Sequence, residues 1–265
     1  MSALSKLKYF IATIVFLVIC ILTTAYQAKI NTNIEGVQIV LNFTFAALFV
    51  CAFLFGGIVT GISGVFGICL YVLLKSQKNS GWLALLGLVI GLVFGIITKL
   101  TINLIEKKKL DQKALLINAG IFFIAIGIVF TTIKIIHPSD FYIVKNTSTY
   151  IYFHWSLFVL PYILGATFIL AAIFLNKAKE NIRRMFSISA FVSTSAIVLY
   201  GIVCVLCSIK KISFSLILAN AYNNYFKNFL FSICLGLIIA MVIYAIGNVI
   251  IEVRRAIKNA LNDAE

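Results

Sequence analysis

Acidic residues are scarce in this chain. Eight Asp and Glu stand against 22 Lys and Arg in 265 residues, and all charged residues together make up only 11%. A soluble domain carries about 25% charged and about 45–50% apolar residues. Here 62% are hydrophobic and the mean hydropathy is +1.10. So little polar surface excludes a water-soluble globule, a disordered tail and a disulfide-stapled secreted module. Proline is also nearly missing, with two residues, and the loops are short, so residues 1–265 read as a single membrane domain.

The acids that do occur are Glu35, Glu106, Asp111, Asp140, Glu180, Glu252, Asp263 and Glu265, and none lies midway along an apolar run. Proton-coupled and many sodium-coupled pumps use an intramembrane carboxylate as relay or ligand, so a self-powered pump is disfavoured. The same lack weakens an intramembrane acid–base enzyme or metalloprotease. The two histidines, His137 and His154, are far apart and show no HExxH spacing. No serine has a base near it in sequence. The chain therefore reads as a non-enzyme, with no catalytic residue, no metal and no cofactor. The six cysteines (Cys20, Cys51, Cys69, Cys204, Cys207 and Cys234) all sit inside apolar runs and read as small core hydrophobes.

What is present in abundance is apolar sequence in runs of membrane length. A spanning helix needs about 20 apolar residues, and a backbone in lipid must satisfy itself as helix or closed barrel. The runs are continuous and do not alternate, which favours helices. The sequence predicts an all-α, polytopic transmembrane bundle of about eight helices: Tyr9–Tyr26, Gly36–Phe55, Ile58–Leu74, Trp82–Ile105, Ala114–Ile133, Ile151–Leu175, Ser187–Ser208 and Asn228–Ile251. The stretch from Gly36 to Leu74 is too long for one span, and Gly56-Gly57 is the natural place for it to turn.

The net charge of +14 sits mostly in short loops between these runs, which is an orientation signal and not a nucleic-acid footprint. With an inside N-terminus, thirteen Lys and Arg fall on inside loops, including all four Arg, and eight fall outside. Lys99, near the inner end of the fourth segment, completes the set. Merging the second and third helices would place Arg183, Arg184, Arg254 and Arg255 outside, against the positive-inside rule. Both termini are therefore expected in the cytoplasm of a multi-pass cell-membrane protein, as in a bacterial inner membrane, with membrane lipids as its surroundings. Lys6 and Lys8 before an apolar run, with Thr23-Thr24-Ala25 after it, also have the outline of a signal peptide, whose cleavage would leave the later topology unchanged.

Glycine forms the most specific pattern. Gly56, Gly57, Gly61, Gly64 and Gly67 lead into one helix, and Gly87, Gly91 and Gly95 repeat at every fourth residue along the next. Such spacing lines one helix face and lets backbones approach closely, which matters where lipid gives no hydrophobic drive for association. The Asn and Ser residues within the apolar runs (Asn42, Asn118, Asn248, Ser187, Ser189, Ser193) are expected to hydrogen-bond between helices.

A double glycine, short-spaced glycines, an apolar run and a second glycine-spaced helix ending in a Lys cluster, all within Phe53–Lys109, resemble the substrate-binding S components of energy-coupling-factor vitamin transporters. The same stretch is similar to the five-transmembrane LYT-type receptor module of bacterial sensor kinases. The first resemblance implies a small-molecule-binding membrane subunit partnered by coupling and ATPase subunits; the second implies a sensor.

Two outer segments carry more polar and aromatic residues than a connector needs. One, Ile135–Trp155, includes Tyr152 and Trp155; the other, Lys210–Lys227, includes Asn223, Asn224 and Lys227. They fit either an interfacial aromatic belt or the rim of an outward-facing ligand site, with rings for contact and Asn and Lys for hydrogen bonds. The sequence thus points first to a substrate-binding or transport protein working with an ATP-driven partner. The alternatives are a sensor signalling through a separate chain and a non-catalytic envelope-assembly protein.

Overall fold

A computed structural model describes residues 3–31, 38–74, 80–107, 109–138, 142–146, 149–152, 158–174, 179–208 and 227–262. Among them are eight helices: α1 (Ala3–Ala25), α2 (Thr44–Phe55), α3 (Gly57–Leu74), α4 (Ser80–Glu106), α5 (Gln112–Ile136), α6 (Val159–Phe174), α7 (Glu180–Ser208) and α8 (Lys227–Asn262). Six of them contain stretches long and apolar enough to cross a membrane, while α2 and α6 are shorter apolar helices. Phe10, Phe66, Ile96, Ile163 and Ile238, spread over five helices, are each more than half exposed. Large apolar side chains on the outside of so many helices belong against hydrocarbon chains, and the chain is a multi-pass membrane protein with an all-α fold.

The structure departs from the expected helices at two places on the outer side. The second predicted helix was to begin at Gly36. Instead β2 (Gln38–Asn42) pairs antiparallel with β1 (Gln27–Asn31), Gln27 opposite Asn42 and Asn31 opposite Gln38, and α2 starts only at Thr44. The sixth predicted helix was to begin at Ile151. That residue lies in β4 (Thr149–Tyr152), paired with β3 (Tyr142–Asn146), and α6 starts at Val159. Both misread stretches are rich in Val, Ile and Tyr, which fit a pleated strand, and a short apolar run cannot be told from helix by periodicity.

At the inner side the error is the opposite one. Helix α7 begins seven residues before Ser187, and α8 runs on past Ile251 to Asn262. Charged residues end a membrane span without ending a helix, since Glu, Arg, Lys and Ala are good helix formers. Arg183 and Arg184, expected on a loop, therefore lie on α7. Lys134, also expected on a loop, lies in the last turn of α5, buried, with its Nζ 5.0 Å from the centre of the Phe158 ring.

Helix α2 organises the bundle. Its twelve residues span about 18 Å at about 1.5 Å per residue, against about 30 Å of hydrocarbon. Eight of the twelve are buried, on every side of the helix, because α1, α3, α4, α7 and α8 all pack around it. Its rings tie these neighbours together. Phe49 meets Phe94 of α4 edge-on at 5.0 Å, and Phe45 meets Phe229 of α8 at 5.1 Å. Phe229 in turn stacks on Tyr200 of α7 at 3.8 Å. Cys20, Cys51 and Cys234 are buried free thiols in this interior, as expected; Cys69 is half-buried, and the side chains of Cys204 and Cys207 lie outside the described residues.

Candidate functional site: the broken segment 38–56

Residues 38–56 form strand β2 and the short apolar helix α2, closed by a turn. The turn is at Gly56, whose φ of 78° and ψ of −172° define a backbone region open essentially to glycine alone. Its N–H donates to Ala52 O at 3.2 Å, and its carbonyl accepts from both the N–H and the hydroxyl of Thr60. The turn predicted at Gly56-Gly57 is therefore present.

The glycines after it sit where the sequence places them. A Cβ on Gly57 would run into the carbonyl oxygen of Gly95 and the backbone of Lys99. One on Gly95 would come within 2.5 Å of Gly61 Cα and 2.9 Å of Gly57 O, and one on Gly91 would strike the backbone of Gly64 and Val65. A Cβ on Gly64 would come within 3.0 Å of Gly91 Cα, and one on Gly67 within 2.6 Å of Cys20 Cβ of α1. The packing of Gly87 lies outside the described residues. Between α3 and α4 this seam leaves a shallow apolar groove of about 320 Å³ that ends at Lys99.

A network of hydrogen bonds anchors the outer end of the broken segment. Thr24 of α1 donates to Cys20 O at 2.6 Å, so its single proton is used and Thr44 is the donor in the 2.8 Å bond between the two hydroxyls. The Asn42 side chain accepts from the N–H of Thr44 at 2.9 Å and takes the place of a cap on α2. The backbone N–H groups of Val40 and Asn42 donate to Asn228 Oδ1 at 3.2 Å and Ser232 Oγ at 2.9 Å. Strand β2 thus uses the first two turns of α8 as its second edge partner.

Sequence reasoning missed this network. The available signal was Asn228 and Ser232 at i, i+4, which share one helix face; their partners lie nearly two hundred residues away. The expectation for the serines of α7 is corrected. Ser187, Ser189 and Ser193 donate to carbonyls of their own helix, at 2.9, 2.8 and 2.6 Å, instead of bridging helices. Asn118 is exposed.

Of the predicted rim residues, Tyr152 is the last residue of β4, opposite Tyr142, and Lys227 is the first residue of α8; neither side chain is among the described ones. Trp155, Asn223 and Asn224 lie outside the described residues. The hairpins follow α1 and α5, whose ends the charge count assigns to the outer side, as it does the start of α8. Among the described residues, no group of His, Cys, Asp and Glu could hold a metal ion. Comparison with protein-family models, with curated proteins and with solved structures finds no match for the chain.

Proposed function

We propose that this chain is a non-enzymatic cell-membrane protein that binds a small molecule from its outer face and moves it together with an ATP-driven partner chain. The observation that carries this reading is the broken segment. In a bilayer, interrupted helices occur where the backbone is enclosed by protein or lines a path, and the substrate sites of transporters are built at such breaks. A bundle that only packs has no need of a half-helix wrapped by five others and hydrogen-bonded at its mouth to α8. Two features of the sequence support the partner. No carboxylate lies midway along an apolar run to couple an ion gradient, and Phe53–Lys109 resembles the S components that work with ATP-driven subunits.

A sensor is the second reading, favoured by α8. This helix continues past the inner boundary with Val253 and Ile257 exposed on one face, a shape suited to relaying movement to another chain. Purification in mild detergent, with mass spectrometry of what comes along, separates the two. The transport reading expects an ATPase and a coupling subunit, and a small molecule whose binding weakens in Tyr152→Ala, Trp155→Ala or Asn224→Ala while the melting temperature holds. A co-purifying kinase or cyclase, or binding untouched by all three substitutions, would contradict it.

A further inference from the structure

The inner ends of α4, α5 and α7 enclose a polar pocket of about 450 Å³, on the side opposite the broken segment's mouth. Arg183, Arg184 and Lys113 supply its cations. Both arginines are half-buried, and the Nε of each is shut off from solvent with no hydrogen-bond partner among the described residues. A buried guanidinium N–H left unpaired is costly, and both arginines line the pocket. Their position sharpens the point. They lie at the start of α7, which begins at Glu180, where the helix dipole already presents positive charge and repels a cation. An anion in the pocket offsets the positive charge of both guanidinium groups and of the helix start.

Among the described residues, no carboxylate pairs with either arginine. Asp111 is committed to the start of α5, accepting from the N–H groups of Lys113 and Ala114 at 3.0 and 3.1 Å. Glu106 and Glu180 are exposed at the rim. Another wall of the pocket is apolar, with Ile102 and Ile105 of α4. We infer that this pocket binds a phosphate group, held by the planar forks of Arg183 and Arg184. A lipid phosphodiester in the inner leaflet is the source that also covers the apolar wall, in the way basic pockets between membrane helices take anionic headgroups. A soluble phosphate would use the same two arginines. The inference is independent of the outer-face reading.

The test uses the full chain, purified and delipidated in neutral detergent. Native mass spectrometry and thermal shift are read with phosphatidylglycerol, with diacylglycerol of the same chains, and with glycerol phosphate. Phosphatidylglycerol is expected to bind at least tenfold tighter than diacylglycerol. Arg183→Gln/Arg184→Gln should remove that preference, while Lys179→Gln, whose lysine pairs with Glu252 outside the pocket at 2.7 Å, should keep it. If the double variant does not fold, Arg183→Lys and Arg184→Lys keep the charge but lose the fork, and each should weaken binding several-fold. Glycerol phosphate binding as tightly as the lipid, with the same loss in the variants, would assign the site to a soluble phosphate. Equal binding of phosphatidylglycerol and diacylglycerol, or equal loss in Lys179→Gln and the arginine variants, would overturn the site.

Discussion

Of the helix pairs in this bundle that meet through glycine, α3–α4 and α5–α6 are joined differently. In α3 and α4 the contact is backbone on backbone over successive turns, with Gly57, Gly61 and Gly64 against Gly95 and Gly91. In α5 and α6 it narrows to one reciprocal contact. A Cβ on Gly120 would meet Gly165 O at 2.8 Å, and one on Gly165 would meet Gly120 O at 2.7 Å. About two turns further on, a Cβ on Gly127 would come within 2.9 Å of the Tyr162 ring, and the Tyr162 hydroxyl shares a 3.0 Å hydrogen bond with Thr131. The first joint has little that can move aside, because most of its closest atoms belong to two main chains. The second is filled with side chains that can adjust. The rigid joint also backs the turn at Gly56, so it holds the broken segment in place.

The contrast breaks most visibly at Gly95. Gly95→Leu should drive α3 and α4 apart and cost at least the about 1–3 kcal/mol typical of overpacked cores, seen as lost folded yield or a sharply lower Tm in detergent. Gly91→Leu should behave likewise, and Ser76→Ala, between the two helices in sequence, should not. Gly127→Ala should cost less, about 1 kcal/mol, because the Tyr162 ring can tilt away; a loss equal to that at Gly95 would erase the distinction between the joints. The smallest effect is expected at Gly247 of α8, where an added Cβ meets nothing within 4 Å. There Gly247→Ala should be neutral or stabilise by up to about 1 kcal/mol, since alanine restricts the unfolded chain and favours helix.

This difference also governed what the sequence revealed. Gly87, Gly91 and Gly95 announce a seam because their spacing is a property of one helix. Gly120 and Gly165 lie on separate helices with no repeat at every fourth residue, and their meeting exists only in three dimensions. The helices themselves were legible, since lipid demands long apolar runs and leaves the charges to mark their ends. Less legible was everything at the outer side. Residues 38–42 and 149–152 are as apolar as a helix start, and what makes them strands is pairing with β1 and β3. The same holds for Asn42, whose work as a cap for α2 and a donor to Ser232 depends on a helix distant in sequence. The outer rim was proposed from composition, and of its five residues the structure describes only the backbone of Tyr152 and Lys227.

Sidedness underlies every statement here about inner and outer faces, and it is measured most directly by reporter fusions along the chain. Fusions after Lys109 and after Arg184 are expected to report cytoplasm, and fusions within Ser139–Thr149 the opposite side, because α2 and α3 descend and return as separate helices around Gly56. An outside signal at Arg184 would mean that α2 and α3 make a single crossing, and would contradict the account.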